Sequence, residues 1–278
     1  MGIFFTYNNI DYKQGEPVVN VDSRGLKYGD GLFETMLLDK GKIQLADLHF
    51  DRLYMGLRLL HFEVPTHFTK EKLTEKILHL CKKNDHHSLA RVRITIFRGN
   101  GGLFDVGNHY PNFIIETNDI EYAIELNLNG LMLDVYPDAK KAIDNFSNIK
   151  SNNFQPYFMA ALHAQKLKVN DCLVLNHLER ICDTTIANIF IIKDDIIYTP
   201  PLSEGCIAGV MRRFILENLS GDFKITEKPL NIDAIKSADE VFLSNSIKRI
   251  RWVKEFRQSH YSNIIIKKID AFIAKSIY

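Results

Sequence analysis

No stretch of this chain approaches 18 uninterrupted apolar residues, so no membrane-spanning helix is expected. The opening residues, MGIFFTYNNIDY, lack a basic start followed by an apolar segment, which argues against a secretory signal. Cysteine is scarce: Cys81, Cys172, Cys182 and Cys206, with no CxxC pair. That excludes a disulfide framework and fits free, reduced thiols in a cytoplasmic protein. The ten histidines show no HExxH or other ligand spacing, and His86-His87 in KKNDHHS reads as a loop, so no metal site is expected. Charge of one sign is lacking too. The 35 basic and 34 acidic residues leave a net +1, which gives no footprint for nucleic acid or an anionic membrane. The basic runs IKRIRWVK and IIIKKID therefore read as solvated faces. No repeat or low-complexity tract is present.

What is present is an ordinary globular composition, 46% apolar and 25% charged over 278 residues. That length suits one large domain or two of roughly 100–150 residues. The first part mixes strands and helices. IFFTYNNIDY and EPVVNVD read as a hairpin. LFETMLLDKGKIQL reads as two β runs around DKGK. ADLHFDRLYMGLRLLHF has Leu48, Leu53, Leu57 and Leu60 near helical spacing, with Asp47 as N-cap. FTKEKLTEKILHLCKKN is a second amphipathic helix, with Leu73, Ile77, Leu80 and Cys81 on one side. In SLARVRITIFRG, Val92, Ile94 and Ile96 alternate with Arg91, Arg93 and Thr95, as in a strand with one buried face.

The polar stretch ETNDIEYAIELNLNG reads as a boundary. We expect an N-terminal domain over 1–118, a linker over 119–125 and a larger C-terminal domain over 126–278. After the linker come LMLDVYP, a helix from about Pro156, DCLVLN, ERICDTTIANIFII and DDIIYTP. So many short strands suggest a β-rich, barrel-like second domain. GVMRRFILENL is a helix and ADEVFLSNS a strand.

Several residues suit chemistry. Lys150 in NIKSNN is an ordinary loop lysine or, if partly buried, a Schiff-base nucleophile. In EGCIAGVMRR, Ala208 and Gly209 lead into a helix whose first amides, of Val210 and Met211, suit a phosphate. Ser244, Asn245 and Ser246 end a strand and offer donors to an anion, or start a turn. Arg52 either clamps a phosphate or extends along the surface. DSRGLKYGDGLFETM reads as a tight glycine loop with Tyr28 and Phe33 available to line a pocket, and the FRGNGG stretch as a loop of the kind that covers sites. Asp183 in ICDTTIANIF is a lone carboxylate in a β-rich run, either a turn residue or a charge facing a ligand.

In order, SRGLKYGDGLFET, HFDRL, RVRITIFRGNGG, KSNN, ICDTTIANIF, YTPPLSEGCIAGVMR and DEVFLSNS resemble the class IV pyridoxal-phosphate enzymes. These are the fold-type IV group of branched-chain and D-amino acid aminotransferases and aminodeoxychorismate lyases. The resemblance implies an α+β fold: a small N-terminal α/β sandwich and a larger barrel-like domain carrying the lysine. It implies pyridoxal 5'-phosphate held on Lys150 as an internal aldimine, with Lys150 moving the proton at substrate Cα. Arg52, the amides of Val210 and Met211, and Ser246 would bind the phosphate, with Gly209 and Asn245 beside them. Asp183, with Thr184 next to it, would face the pyridine nitrogen. Tyr28, Phe33 and Arg93 would lie on the substrate side. A homodimer acting on amino acids and 2-oxo acids is implied.

Two departures stand out. Position 183 is Asp where the family usually has Glu, one methylene longer. KSNNFQ lacks the glycine pair and tyrosine of the branched-chain enzymes and is nearer the lyase and D-amino acid types, with Asn153 three residues on. The leading reading is an aminotransferase. The alternative is an aminodeoxychorismate lyase that releases pyruvate and 4-aminobenzoate, although LFDVGN follows RGNGG where lyases often carry a further Arg and Gly. A degenerate cofactor-binding protein with little catalysis is a third reading, which an intact Lys150 opposes.

Overall fold

Alternation and helical spacing build separate hydrophobic cores in the computed structural model, which describes residues 2–86, 88–105, 108–121 and 124–277. His87 and the linker residues Tyr122 and Ala123 lie outside the described residues. The chain divides into two compact units. One comprises residues 1–123 and 149–153, the other residues 124–148 and 154–278. Lys150, expected in the C-terminal domain, therefore belongs to the first unit.

The first unit holds β1 (Phe4–Tyr7), β2 (Ile10–Lys13), α1 (Arg24–Tyr28), β3 (Gly31–Asp39), β4 (Lys42–Ile43), α2 (Ala46–Leu59), α3 (Lys70–Lys83), β5 (Leu89–Arg98) and β6 (Pro111–Asp119). Its sheet runs β2-β1-β6-β5-β3-β4, and each pairing is antiparallel. The hairpin is β1–β2, formed by IFFTYNNIDY and Lys13, and EPVVNVD adds no strand. In β5, Val92, Ile94 and Ile96 are fully buried and meet Leu53 and Leu57 of α2 and Leu73, Ile77 and Leu80 of α3 in one core. The cap of α2 is Leu45, in the left-handed conformation at φ 53°, rather than Asp47, which sits in the first turn. At α3 the Thr69 hydroxyl accepts the Lys72 amide, an ordinary side-chain cap.

The second unit holds β7 (Leu131–Lys141), α4 (Gln155–Leu167), β8 (Asp171–Asn176), β9 (Ile181–Thr184), β10 (Asn188–Lys193), β11 (Ile196–Thr199), α5 (Val210–Asn218), β12 (Ile225–Glu227), α6 (Ile232–Lys236), β13 (Glu240–Asn245), β14 (Arg249–Phe256), β15 (Ser259–His260) and α7 (Ile264–Ile277). The sheet order is β12-β11-β10-β13-β14-β7-β8-β9, with β15 on β14, and the sheet curls as a half-barrel. β8 is buried along its whole length, as a strand covered on both faces should be. One cover is α4, which sets Tyr157, Ala160 and Ala164 at helical spacing against Cys172 and Val174. The buried carboxylate of Glu240 accepts the amides of Ile265 and Ile266 and so caps α7. No helix among the described residues is long and apolar enough to cross a membrane.

Candidate active site

The singled-out residues fall into two groups, one in each unit. In the first unit, Phe33 and Glu34 are consecutive on β3 and so face opposite ways. Glu34 is buried. Its Oε1 accepts Arg52 Nε at 2.7 Å, its Oε2 accepts Arg52 Nη2 at 2.7 Å, and His49 Nδ1 also meets Oε2 at 2.7 Å. His49 and Arg52 are three residues apart on α2 and share a face. Burial pushes the Glu34 carboxyl up, but the Arg52 guanidinium and His49 outweigh it and bring its pKa down to about 2. Burial lowers the pKa of His49 more than Glu34 raises it, so the ring is neutral at neutral pH and donates its Nδ1–H. Its Nε2 is buried without a hydrogen-bond partner among the described residues.

On the other face, the Phe33 ring carries two cations. The Arg93 guanidinium lies 3.8 Å from the ring centroid and the Lys150 ammonium 4.7 Å. The Lys150 segment is tied to β3 by backbone bonds: the Phe33 amide donates to the Lys150 carbonyl and the Asn152 amide to the Gly31 carbonyl. Gly31 allows this approach, since a Cβ there would meet the Ile96 carbonyl oxygen at 2.0 Å and Asn152 Nδ2 at 2.7 Å. Burial pulls the Arg93 pKa down, and the Arg93 Nε donates to Thr95 Oγ1 at 3.1 Å. Tyr28 ends α1, 38% exposed, with the Arg24 guanidinium 5.6 Å over its ring.

In the second unit, Asp183 is buried at the end of β9. Its Oδ2 accepts Tyr157 Oη at 2.7 Å, the Ile207 amide at 2.9 Å and Lys141 Nζ at 3.3 Å. Its Oδ1 accepts Asn188 Nδ2 at 2.8 Å. Thr184 turns to local work: its amide and hydroxyl both donate to the Ala187 carbonyl, closing the turn from β9 into β10. The Thr185 amide donates to buried Asp171.

Gly209 is the N-cap of α5, with no side-chain cap, and Val210 and Met211 open the helix. A Cβ at Gly209 would lie 1.8 Å from Asn188 Oδ1. Ser244 pairs with Asn188 across the β10–β13 ladder, and its hydroxyl is buried with no partner among the described residues. Asn245 Oδ1 accepts the amides of Ile247 and Lys248, so that side chain shapes the turn that begins at Ser246.

The class IV amino-transferase model matches residues 31–256. The chain belongs to the class IV aminotransferase family. This family is pyridoxal-phosphate-dependent, and its relatives and structural neighbours are aminotransferases and lyases. An aminodeoxychorismate lyase of Bacillus subtilis is 28% identical, over 90% of this chain and 86% of its own. In fold, the chain is similar to a branched-chain aminotransferase of Thermoproteus uzoniensis solved with norvaline (TM-score 0.89, 20% identity, 100% of this chain and 95% of that one). It is also similar to a 4-amino-4-deoxychorismate lyase of Pseudomonas aeruginosa (TM-score 0.82, 23% identity, 98% of each chain).

The residues of this chain suit such a cofactor on three observations. An amine and a guanidinium share the Phe33 ring. A glycine opens a nine-residue helix against Asn188, and Asn188 faces an orphaned serine hydroxyl across the ladder. The carboxylate of Asp183 retains acceptor capacity on Oδ1, which among the described residues takes one donor where Oδ2 takes three.

Sequence reasoning passes over Glu34, His49, Lys141, Tyr157 and Ile207. Only the pair His49–Arg52 carries a readable signal, the i,i+3 spacing on an amphipathic helix. The donors to Asp183 come from four separate segments that no local pattern joins.

Proposed function

We propose that the protein is an aminotransferase, moving an amino group between an amino acid and a 2-oxo acid, and that it works as a homodimer. The observation that carries this reading is the pairing of Lys150 and Arg93 over Phe33. An amine beside a half-buried guanidinium suits a substrate with a reactive α-carbon and a carboxylate a few ångströms away. In this reading Arg93 receives the carboxylate and Phe33 gives the substrate an apolar wall. Lys150 carries the cofactor and then takes and returns the proton at substrate Cα. Glu34 holds Arg52 as a fixed cation for the cofactor phosphate, with the opening amides of α5 as further donors. Asp183 favours a protonated ring nitrogen. When bound, pyridoxal phosphate supplies an electron-withdrawing ring that stabilises negative charge at Cα.

The test is a half-reaction. The purified protein, yellow with cofactor, is mixed with a panel of L- and D-amino acids, and its absorbance is followed without an acceptor. Conversion to the aminated cofactor, with release of a 2-oxo acid, supports the aminotransferase. The similarity to an aminodeoxychorismate lyase motivates one more substrate. If no amino acid converts the cofactor but aminodeoxychorismate yields pyruvate, the protein is the lyase. Borohydride reduction should fix the label on Lys150, and a protein that cannot be reconstituted with the cofactor would defeat both readings.

A further inference from the structure

The cage around Asp183 is uneven. Among the described residues, Oδ2 takes three donors, from Tyr157, Ile207 and Lys141, while Oδ1 takes only Asn188. A carboxylate of this kind cannot rotate about its Cβ–Cγ bond without breaking several bonds at once. The shortest of the Oδ2 contacts is the Tyr157 hydroxyl at 2.7 Å, a charge-assisted bond between two buried groups. Tyr157 is itself held: its ring stacks on Phe154 with centroids 4.6 Å apart, and Lys141 Nζ lies 5.2 Å over it. Burial, and then the Asp183 carboxylate, push the Tyr157 phenol well above its ordinary pKa, so it stays a donor.

We propose that Tyr157 is a positioning residue for Asp183: its hydroxyl fixes Oδ2 and thereby leaves on Oδ1 the one acceptor position that a cofactor ring N–H can take. The role matters more here than for a glutamate. A side chain one methylene shorter has less reach, so its direction has to be set by its neighbours. The proposal rests on the cofactor assignment above and goes beyond it, because it names the group that aims the ring-nitrogen partner.

The test is Tyr157→Phe in the full chain loaded with pyridoxal phosphate, since Phe keeps the stack on Phe154 and removes only the donor. Three quantities are read: the pH midpoint of the visible absorbance change, the cofactor dissociation constant and the thermal midpoint. The expected result is a pH midpoint displaced by about half a unit or more, the scale of losing one hydrogen bond to a charged group. The dissociation constant should change little, because the phosphate contacts are untouched. In an Asp183→Asn background the same substitution should leave the pH midpoint where Asp183→Asn alone put it. A structural role alone would lower the thermal midpoint without moving the absorbance midpoint, and that outcome overturns the proposal. If the Phe variant does not fold, Tyr157→Met is read in the same way. A wild-type protein that takes up no cofactor defeats the aminotransferase reading itself. A yellow wild type with an unmoved variant midpoint defeats only the role of Tyr157.

Discussion

Glu34 grips Arg52 through two parallel hydrogen bonds of 2.7 Å, with both side chains nearly inaccessible to solvent. The fork geometry leaves the guanidinium little freedom, so Arg52 is presented as a fixed cation on α2 rather than a surface arginine. His49 completes the arrangement from one turn earlier on the helix.

Breaking that pair should be expensive. Glu34→Gln leaves the Arg52 charge in a buried setting without its counter-charge, and such losses run to roughly 3 kcal/mol. Urea unfolding should show a midpoint lowered by that equivalent with an unchanged slope. A variant as stable as the wild type would mean that Arg52 finds another anion.

The same cluster sets an acid limb for stability. His49 has a folded pKa below its ordinary 6.5. Below about pH 6.5 the unfolded chain therefore takes up a proton that the folded one refuses, and stability falls. Glu34, lowered from 4.5 to about 2, contributes fully above pH 4.5 and is lost as the pH falls from there towards 2. Unfolding midpoints measured from pH 8 to pH 4 should decline from about 6.5 downward, and His49→Gln should flatten the slope between pH 7 and 5. A flat wild-type profile across that window would count against the neutral buried imidazole.

Gly209→Ala probes the entry of α5. The glycine has an ordinary φ of −65°, so the cost is steric rather than conformational. The added methyl meets Asn188 Oδ1, and Asn188 cannot retreat freely because its Nδ2 holds both Asp183 and the Ile207 carbonyl. We expect about 1–3 kcal/mol of destabilisation, as for overpacking, together with weaker cofactor retention. Calorimetry and a cofactor-release assay check the two effects, and an unchanged thermal midpoint would show that the loop yields.

Local patterns are enough to read α3 and β5, because Leu73, Ile77 and Leu80, and Val92, Ile94 and Ile96, repeat within a few residues. They fail where a distant partner decides. Leu45 caps α2 in a left-handed conformation that no capping rule favours for leucine. Lys150 joins the first unit because its neighbours pair with Gly31 and Leu32, about 120 residues earlier. The run ICDTTIANIF holds both meanings read in it: Thr184 to Ala187 is a turn, and Asp183 at its edge is a hub for four donors. The motif order singles out Asp183, Lys150 and Gly209, spans Glu34 without marking it and does not reach Tyr157; the importance of these two lies in what they touch.

Asp183 itself offers the sharpest functional prediction. Asp183→Asn keeps the shape but removes the charge that favours a protonated ring nitrogen, and its new NH₂ group opposes either the Tyr157 and Ile207 donors of Oδ2 or the Asn188 donor of Oδ1, according to which oxygen it replaces. The phosphate contacts proposed for Arg52 and the start of α5 are untouched, so cofactor retention should change little. Turnover should fall by about a hundredfold or more, the scale seen when one preorganised electrostatic partner is lost. Because Lys141 loses a neighbouring charge, stability should drop as well, by about 1–3 kcal/mol. Single-turnover kinetics on cofactor-loaded protein separates the effects. Turnover unchanged at full cofactor occupancy would remove Asp183 from the chemistry and leave it as a structural hub of the second unit.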